Sequence, residues 1–267
     1  MNSDIYNFLR AISLSKKKVE QHISKAQAQK QFEKALSSLA YSQSLWNVFE
    51  DFLDYTLLML RWHDVKEDHF SELKNRYPKE EQHKLFAEAF YALACMADNE
   101  GAGFYDPFGD YFMEHFGNKF KGQFFTPETV TDFMAQITIA DDTPDGTSVL
   151  DPACGSGRTL LSAAKLNRKM IFYASDIDLN CCKMTVINMM LNTMVGEVAW
   201  MNSLTMEHWK SWHIRKVHNG MGYVPYYIES GPGETNFIQR LKNTIEAAGV
   251  QNADELLVSK KGQIMLF

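Results

Sequence analysis

From residue 1 to about 120, apolar positions recur at helical intervals. Leu36, Leu39, Ala40, Gln43 and Trp46 form one series, and Phe49, Phe52, Leu53, Leu57 and Leu60 form another. The run HKLFAEAFYALACMA, residues 83–97, predicts a further helix, with a stop near DNEGAG where Gly101 and Gly103 release the backbone from helical geometry. No alternation of period two precedes residue 140. Near residue 121 the pattern changes. Thr126-Pro127 followed by Glu128 reads as a helix start, with the proline and an acidic side chain where the first turn favours them. DDTPDGT (141–147) is a turn. After it come a strand SVLD, a loop of small residues, a helix over 157–167, a strand over 169–176, a helix over 178–193 and a strand over 197–203. This β-α-β-α-β order predicts a parallel sheet wound with helices. Residues 204–234 read as irregular, 236–250 as a helix ending at Gly249, and 251–267 as a loose tail. The expected organisation is therefore a helical domain over 1–120, an α/β domain over 121–250 and a flexible tail over 251–267.

Composition narrows the class. The chain is 45% hydrophobic and 22% charged, an ordinary globular balance. A formal net charge of −6 argues against coating nucleic acid by bulk charge. The first 40 residues are locally basic, with SKKK at 15–18, which reads as a solvated helix face or as a phosphate contact. No apolar run reaches the roughly 18 residues of a membrane span, and MNSDIYNFLR has neither the basic nor the apolar region of a signal peptide. Cys95, Cys154, Cys181 and Cys182 follow no metal or disulfide spacing, so a reducing cytoplasm is the expected setting. The eight histidines form no metal pattern, and no metal is expected.

The chemistry concentrates in SVLDPACGSGRTLL, residues 148–161. Gly155 and Gly157 lie between a strand end and a helix start, where glycine lets the backbone approach a ligand. The third glycine of a dinucleotide fingerprint would fall at Leu160, and no G-x-x-x-x-G-K-[ST] is present. A ligand without phosphates fits better, with an amino-acid end against the loop. The next strand ends YASDID. A carboxylate at Asp176 is placed to bind two ribose hydroxyls. It is also placed to cap the following helix, and Asp176 and Asp178 together can fill both roles.

DPACGSG resembles the cofactor motif of the adenine-N6 DNA methyltransferases, in the manner of the modification subunits of type I restriction systems. GQFFTP (122–127) resembles the motif that precedes the sheet in that family, and the helical first segment is similar in kind. The resemblance implies a Rossmann-like, S-adenosylmethionine-dependent α/β domain, shortened after its third or fourth strand and preceded by an all-α segment. It implies that Phe125, Thr126 and Pro127 pack around the methionine moiety of S-adenosylmethionine. Asp151, Ala153 and Gly155 would line the methionine side, Asp176 would take the ribose, and Ile177 would cover the adenine. Asn202 stands where the family often has an Asp contacting the cofactor adenine. DNA is the implied partner.

One family element is missing. Methylation of adenine N6 relies on Asn/Asp/Ser-Pro-Pro followed by an aromatic residue, which polarises the amine and stacks on the flipped base. This chain has no Pro-Pro. The nearest segment is GYVPYYIE, which offers Pro225 and Tyr227 as catalytic candidates but has Val224 where an acceptor is needed. The same residues also read as an ordinary β-strand, with Tyr and Ile favoured there, and this is the preferred reading. Little chain follows Tyr227, so either the catalytic domain is trimmed or a partner chain reads the DNA. Two functions follow: an adenine-N6 DNA methyltransferase of restriction-modification type acting with a partner, or an inactive homologue that binds cofactor and regulates DNA-handling complexes. The terminal QIMLF, Gln263 to Phe267, resembles the short peptide by which bacterial proteins dock on the DNA sliding clamp; its alternative is a tail packed on its own domain.

Overall fold

The computed structural model describes residues 23–61, 70–117, 124–220, 222–236 and 263–265. The chain divides into two units. The first comprises Met1–Gln123 with Met190–Thr193 and Lys216–Tyr226; the second comprises Phe124–Met189, Met194–Arg215 and Tyr227–Phe267.

The first unit is built from α1 (Lys25–Leu39), α2 (Leu45–Leu60), α3 (Ser71–Arg76), α4 (Glu80–Asp98) and α5 (Pro107–His115). A reciprocal capping box starts α1: Gln27 N donates to Ser24 Oγ at 3.3 Å, and Ser24 N donates to Gln27 Oε1 at 3.0 Å. The apolar series that runs through Ala40 to Trp46 is not one helix. It breaks into a 3-10 turn at Ala40–Ser42, and Ser44 then caps α2 by accepting from Asn47 N at 3.1 Å. The stop after α4 also differs in detail from the expected glycines. Asn99 takes the left-handed turn at φ 48°, and Asp98 Oδ2 accepts from Gly101 N at 3.0 Å. The core of this unit is aromatic. Phe32 meets Phe52 and Tyr111 edge-on at 5.2 and 5.1 Å between ring centroids, and Phe116 meets Trp46 edge-on at 5.1 Å.

The second unit carries α6 (Glu128–Thr138), α7 (Arg158–Leu166), most of α8 (Leu179–Leu191) and the strands β1 (Ser148–Asp151), β2 (Ile171–Asp176), β3 (Val195–Asn202) and β6 (Gln263–Met265), while β4 (Glu207–His218) and β5 (Tyr223–Ser230) are divided between the units. The six strands are ordered β5-β4-β3-β2-β1-β6. β1 pairs in parallel with β2 from Ser148↔Ile171, and β2 with β3 from Ile171↔Val195. At Gly196, whose φ of 158° turns the Cβ direction toward the paired strand, a Cβ would stand 1.7 Å from the Phe172 carbonyl oxygen. The β-α-β-α-β order is therefore present, in a mixed rather than purely parallel sheet, because β4 returns antiparallel to β3.

Two expectations are corrected. Residues 204–234 are not irregular: they hold β4 and β5, joined by a turn in which Asn219 N donates to Gly222 O at 3.0 Å. The alternation was hidden because polar residues occupy buried positions of β4. Ser211 faces inward and donates to Glu197 of β3, which is 2% exposed, and the buried His208 hydrogen-bonds through Nε2 to the same Ser211 hydroxyl. The tail is not loose throughout, since the backbone of Gln263–Met265 pairs in parallel with β1 at Ser148↔Gln263. A sheet edge presents unpaired N–H and C=O groups, and β6 satisfies those of β1. Leu266 and Phe267 of the expected clamp peptide lie outside the described residues, as do residues 237–250 of the helix expected over 236–250 and the SKKK run. No helix among the described residues is long and apolar enough to cross a membrane.

Candidate functional site

The loop 152–157 leaves the C-terminal end of β1, and Asp176 and Asn202 stand at the ends of β2 and β3. The chain runs outward from β1 through β2 to β3, and later returns to the other side of β1 with β6. Strand order therefore reverses at β1, and the crevice at such a reversal is where open α/β sheets take ligands.

Hydrogen bonds from the strand ends shape the loop. Asp151, 1% exposed, accepts from Ala153 N at 3.0 Å and from the Thr159 hydroxyl on the first turn of α7. Cys154 N donates to Ser175 O at 3.0 Å, and the Ser203 hydroxyl donates to Pro152 O at 2.7 Å. Gly155 N donates to Asp176 Oδ2 at 2.9 Å, so the second strand's carboxylate directly fixes the glycine. Gly155 has φ 54°, and a Cβ on it would lie 2.9 Å from Cδ1 of Phe125. Glycine is thus required both by its backbone angle and by the ring that covers it. The Phe125-Thr126-Pro127 segment is held in place from α7, where Arg158 Nη1 donates to Thr126 O at 3.2 Å.

The two aspartates after β2 divide the expected roles. Asp178 Oδ1 accepts from Asn180 N at 2.7 Å and Cys181 N at 3.2 Å and so starts α8. Asp176 is not the cap; its Oδ1 accepts from Asp178 N at 2.9 Å. Burial raises the Asp176 carboxyl above the ordinary carboxylate range, against the pull of N–H donors from Asp178, Gly155 and Ile177. Burial likewise raises Asp151, opposed by Thr159 and Ala153. The Cys154 thiol is pushed up by burial, which leaves it a packing group rather than a nucleophile.

The sequence candidates therefore fall into groups. Phe125, Thr126, Gly155 and Asp176 are brought together, and Ala153 lies exposed on the same loop. Pro127 precedes α6 as its N-terminal flank. Ile177 is 62% exposed beside Asp176, and its carbonyl accepts from Trp200 Nε1 at 3.0 Å. Asn202 Oδ1 is committed to the turn after β3, accepting from Leu204 N at 3.0 Å and Thr205 N at 3.1 Å. Asp151 is an internal brace. Pro225 and Tyr227 lie in β5, separated from β1 by β4, β3 and β2. Tyr227 is 2% exposed. The VPYY segment is part of β5, and the enclosed Tyr227 ring presents in this conformation no open face of the kind that stacking on a base requires. Thr159 and Arg158 escaped sequence reading, although two polar residues opening a helix of apolar face were a signal available for them.

Comparison with known proteins adds family and relatives. A family model described as N-6 DNA methylase matches residues 104–254, more than half of the chain. The methylase subunit of the type I restriction enzyme MpnII of Mycoplasma pneumoniae is 29% identical over 139 residues, covering 46% of this chain and 25% of that protein. The chain thus spans about a quarter of the length of this relative. A type I restriction-modification methyltransferase subunit of known structure, from Streptococcus thermophilus, is 13% identical with a TM-score of 0.37, covering 64% of this chain and 57% of the other.

Proposed function

The chain belongs to the N-6 DNA methylase family, and from that premise we propose that it binds S-adenosylmethionine at the C-terminal ends of β1, β2 and β3 and serves adenine-N6 methylation of DNA together with a partner subunit. The observation that carries the reading is the Gly155 cradle, in which a left-handed glycine is covered by Phe125 and tied to Asp176.

The donor set fits the cofactor. When bound, S-adenosylmethionine supplies an electrophilic methyl group on a sulfonium. Asp176 accepts from the ribose: its oxygens take N–H donors from Gly155, Asp178 and Ile177, and the roughly four lone-pair sites of a carboxylate leave room for a hydroxyl. The exposed Ile177 offers an apolar face for the adenine ring. The Asn202 NH2 group donates toward the adenine while its oxygen holds the turn. Phe125, Thr126 and Pro127 close over the methionine end, and Asp151 with Ala153 fixes the loop that receives it. The partner supplies DNA reading, in keeping with the matched relative's name as one subunit of a restriction enzyme.

Transfer is tested by mass spectrometry of N6-methyladenine in the genome of a host without adenine methylation that expresses this chain. Modified adenine above background is the expected result once a DNA-reading partner subunit is co-expressed. Its absence with the partner present, from a protein with intact cofactor binding, would contradict a part in methyl transfer and leave the chain a cofactor-binding module.

A further inference from the structure

Within the helical unit, Glu33 on α1 and Glu114 and His115 at the end of α5 bring two carboxylate oxygens and a ring nitrogen within 4.8 Å of one another. Two like-charged carboxylates this close repel unless a cation joins them. Around them lie two buried polar atoms with no hydrogen-bond partner: His115 Nε2 and the hydroxyl of Tyr111. Tyr111 is 6% exposed, and its ring lies 4.3 Å from that of His115. Orphaned buried donors are rare in folded proteins and call for a cause. Glu33 is already oriented: Gln29 Nε2 donates to its Oε1 at 3.0 Å and leaves Oε2 for another partner.

We propose that Glu33, Glu114 and His115 form a divalent transition-metal site of the zinc class, which ties α1 to α5. Imidazole nitrogen and carboxylate oxygen are both zinc ligands, with bonds of about 2.0–2.2 Å and ligand atoms about 3.4 Å apart in a tetrahedron. Reaching that spacing requires the exposed Glu114 side chain to rotate. The fourth position falls to a water, and the Tyr111 hydroxyl hydrogen-bonds to it, which satisfies the buried oxygen. The ion acts on stability: it binds the folded chain, in which the three ligands are assembled, and so raises the melting temperature. The site lies wholly in the helical unit and stands independently of the cofactor reading.

The test uses the full chain, stripped with chelator and titrated with Zn2+ by calorimetry, with thermal melting in parallel. The expected result is one site per chain at micromolar or tighter affinity, with a rise in melting temperature. Affinity at that site should fall at least tenfold in both His115→Ala and Glu33→Gln. The glutamine variant keeps the shape of the side chain, so it guards against loss through misfolding. Co2+ in place of Zn2+ should give visible absorption bands that His115→Ala changes. Absence of saturable Zn2+ binding, or equal affinity and stoichiometry in the wild type and both variants, overturns the proposal; equal binding would place the metal on other histidines or cysteines.

Discussion

The two units are stabilised in different ways. The helical unit buries rings: Phe32, Phe49, Phe52, Phe90, Phe108, Phe112 and Phe116 are almost fully enclosed and pack mainly edge to face. The α/β unit buries small and pliable side chains, such as Ala163, Ala174, Ala199, Met184, Met189 and Met201, among many polar ones. Asp151, Ser175, Glu197 and Ser211 are each 2% exposed or less, and each has hydrogen-bond partners. Ring packing is tolerant in direction and supports stability. A buried hydrogen bond has one good geometry, and here the polar set fixes the loop after β1 and the strands around it. Substitutions in the first unit should therefore cost stability, and polar or glycine substitutions in the second should also cost geometry at the site.

The largest expected effect is in the helical unit. Phe49→Ala should lower unfolding free energy by about 4 kcal/mol in denaturant melts, from lost burial and a residual cavity. Cofactor affinity, measured where the protein remains folded, should stay unchanged; a parallel loss would break the comparison. In the sheet, Gly196→Ala forces a methyl group against the Phe172 carbonyl and should cost about 3 kcal/mol, with loss of the β2–β3 pairing in amide exchange. Normal protection of those amides would show that the strands can part without cost.

Glu197 gives the unit a pH signature. Burial pushes its carboxyl up, but hydrogen bonds from His213, Thr235 and Ser211 outweigh that, and the group titrates below the ordinary glutamate value. A depressed folded pKa stabilises above the unfolded pKa of about 4.3 and is lost as pH falls through the folded value. Glu197→Gln should therefore cost about 2 kcal/mol near pH 7, and the gap to the wild type should shrink as the pH is lowered through 4. A gap independent of pH would remove the charge from the account. The smallest effect on stability is expected at the loop: Gly155→Ala should cost about 1 kcal/mol in the left-handed conformation. The displaced Phe125 should nonetheless weaken S-adenosylmethionine binding about tenfold, equivalent to about 1.4 kcal/mol.

Legibility in the sequence follows the same division. The site loop was legible because close backbone approach demands glycine, and Phe125 and Gly155, far apart in sequence, were linked by two motifs in order. The division of labour between Asp176 and Asp178 was visible only as a pair of alternatives, since either carboxylate satisfies the pattern. Asp151 could not be assigned inward from sequence, because a buried brace and a ligand contact use the same residue type. β4 was missed because His208 and Ser211 occupy buried positions that an apolar alternation reserves for hydrophobic residues. β6 was missed because a three-residue strand depends on the open edge of β1 rather than on its own pattern. In the helical unit, spacing gave the helices but not the break at Ala40–Ser42, where Ser44 diverts the backbone by capping the next helix.

Asp176 and the Gly155 loop are proposed to hold S-adenosylmethionine. The most direct measurement is calorimetric titration of the cofactor into the wild type and Asp176→Ala. The account predicts one site per chain and a loss of about tenfold to a hundredfold in the variant, the worth of a hydrogen bond to a charged group. No heat of binding at millimolar cofactor, or equal affinity in the variant, would contradict it.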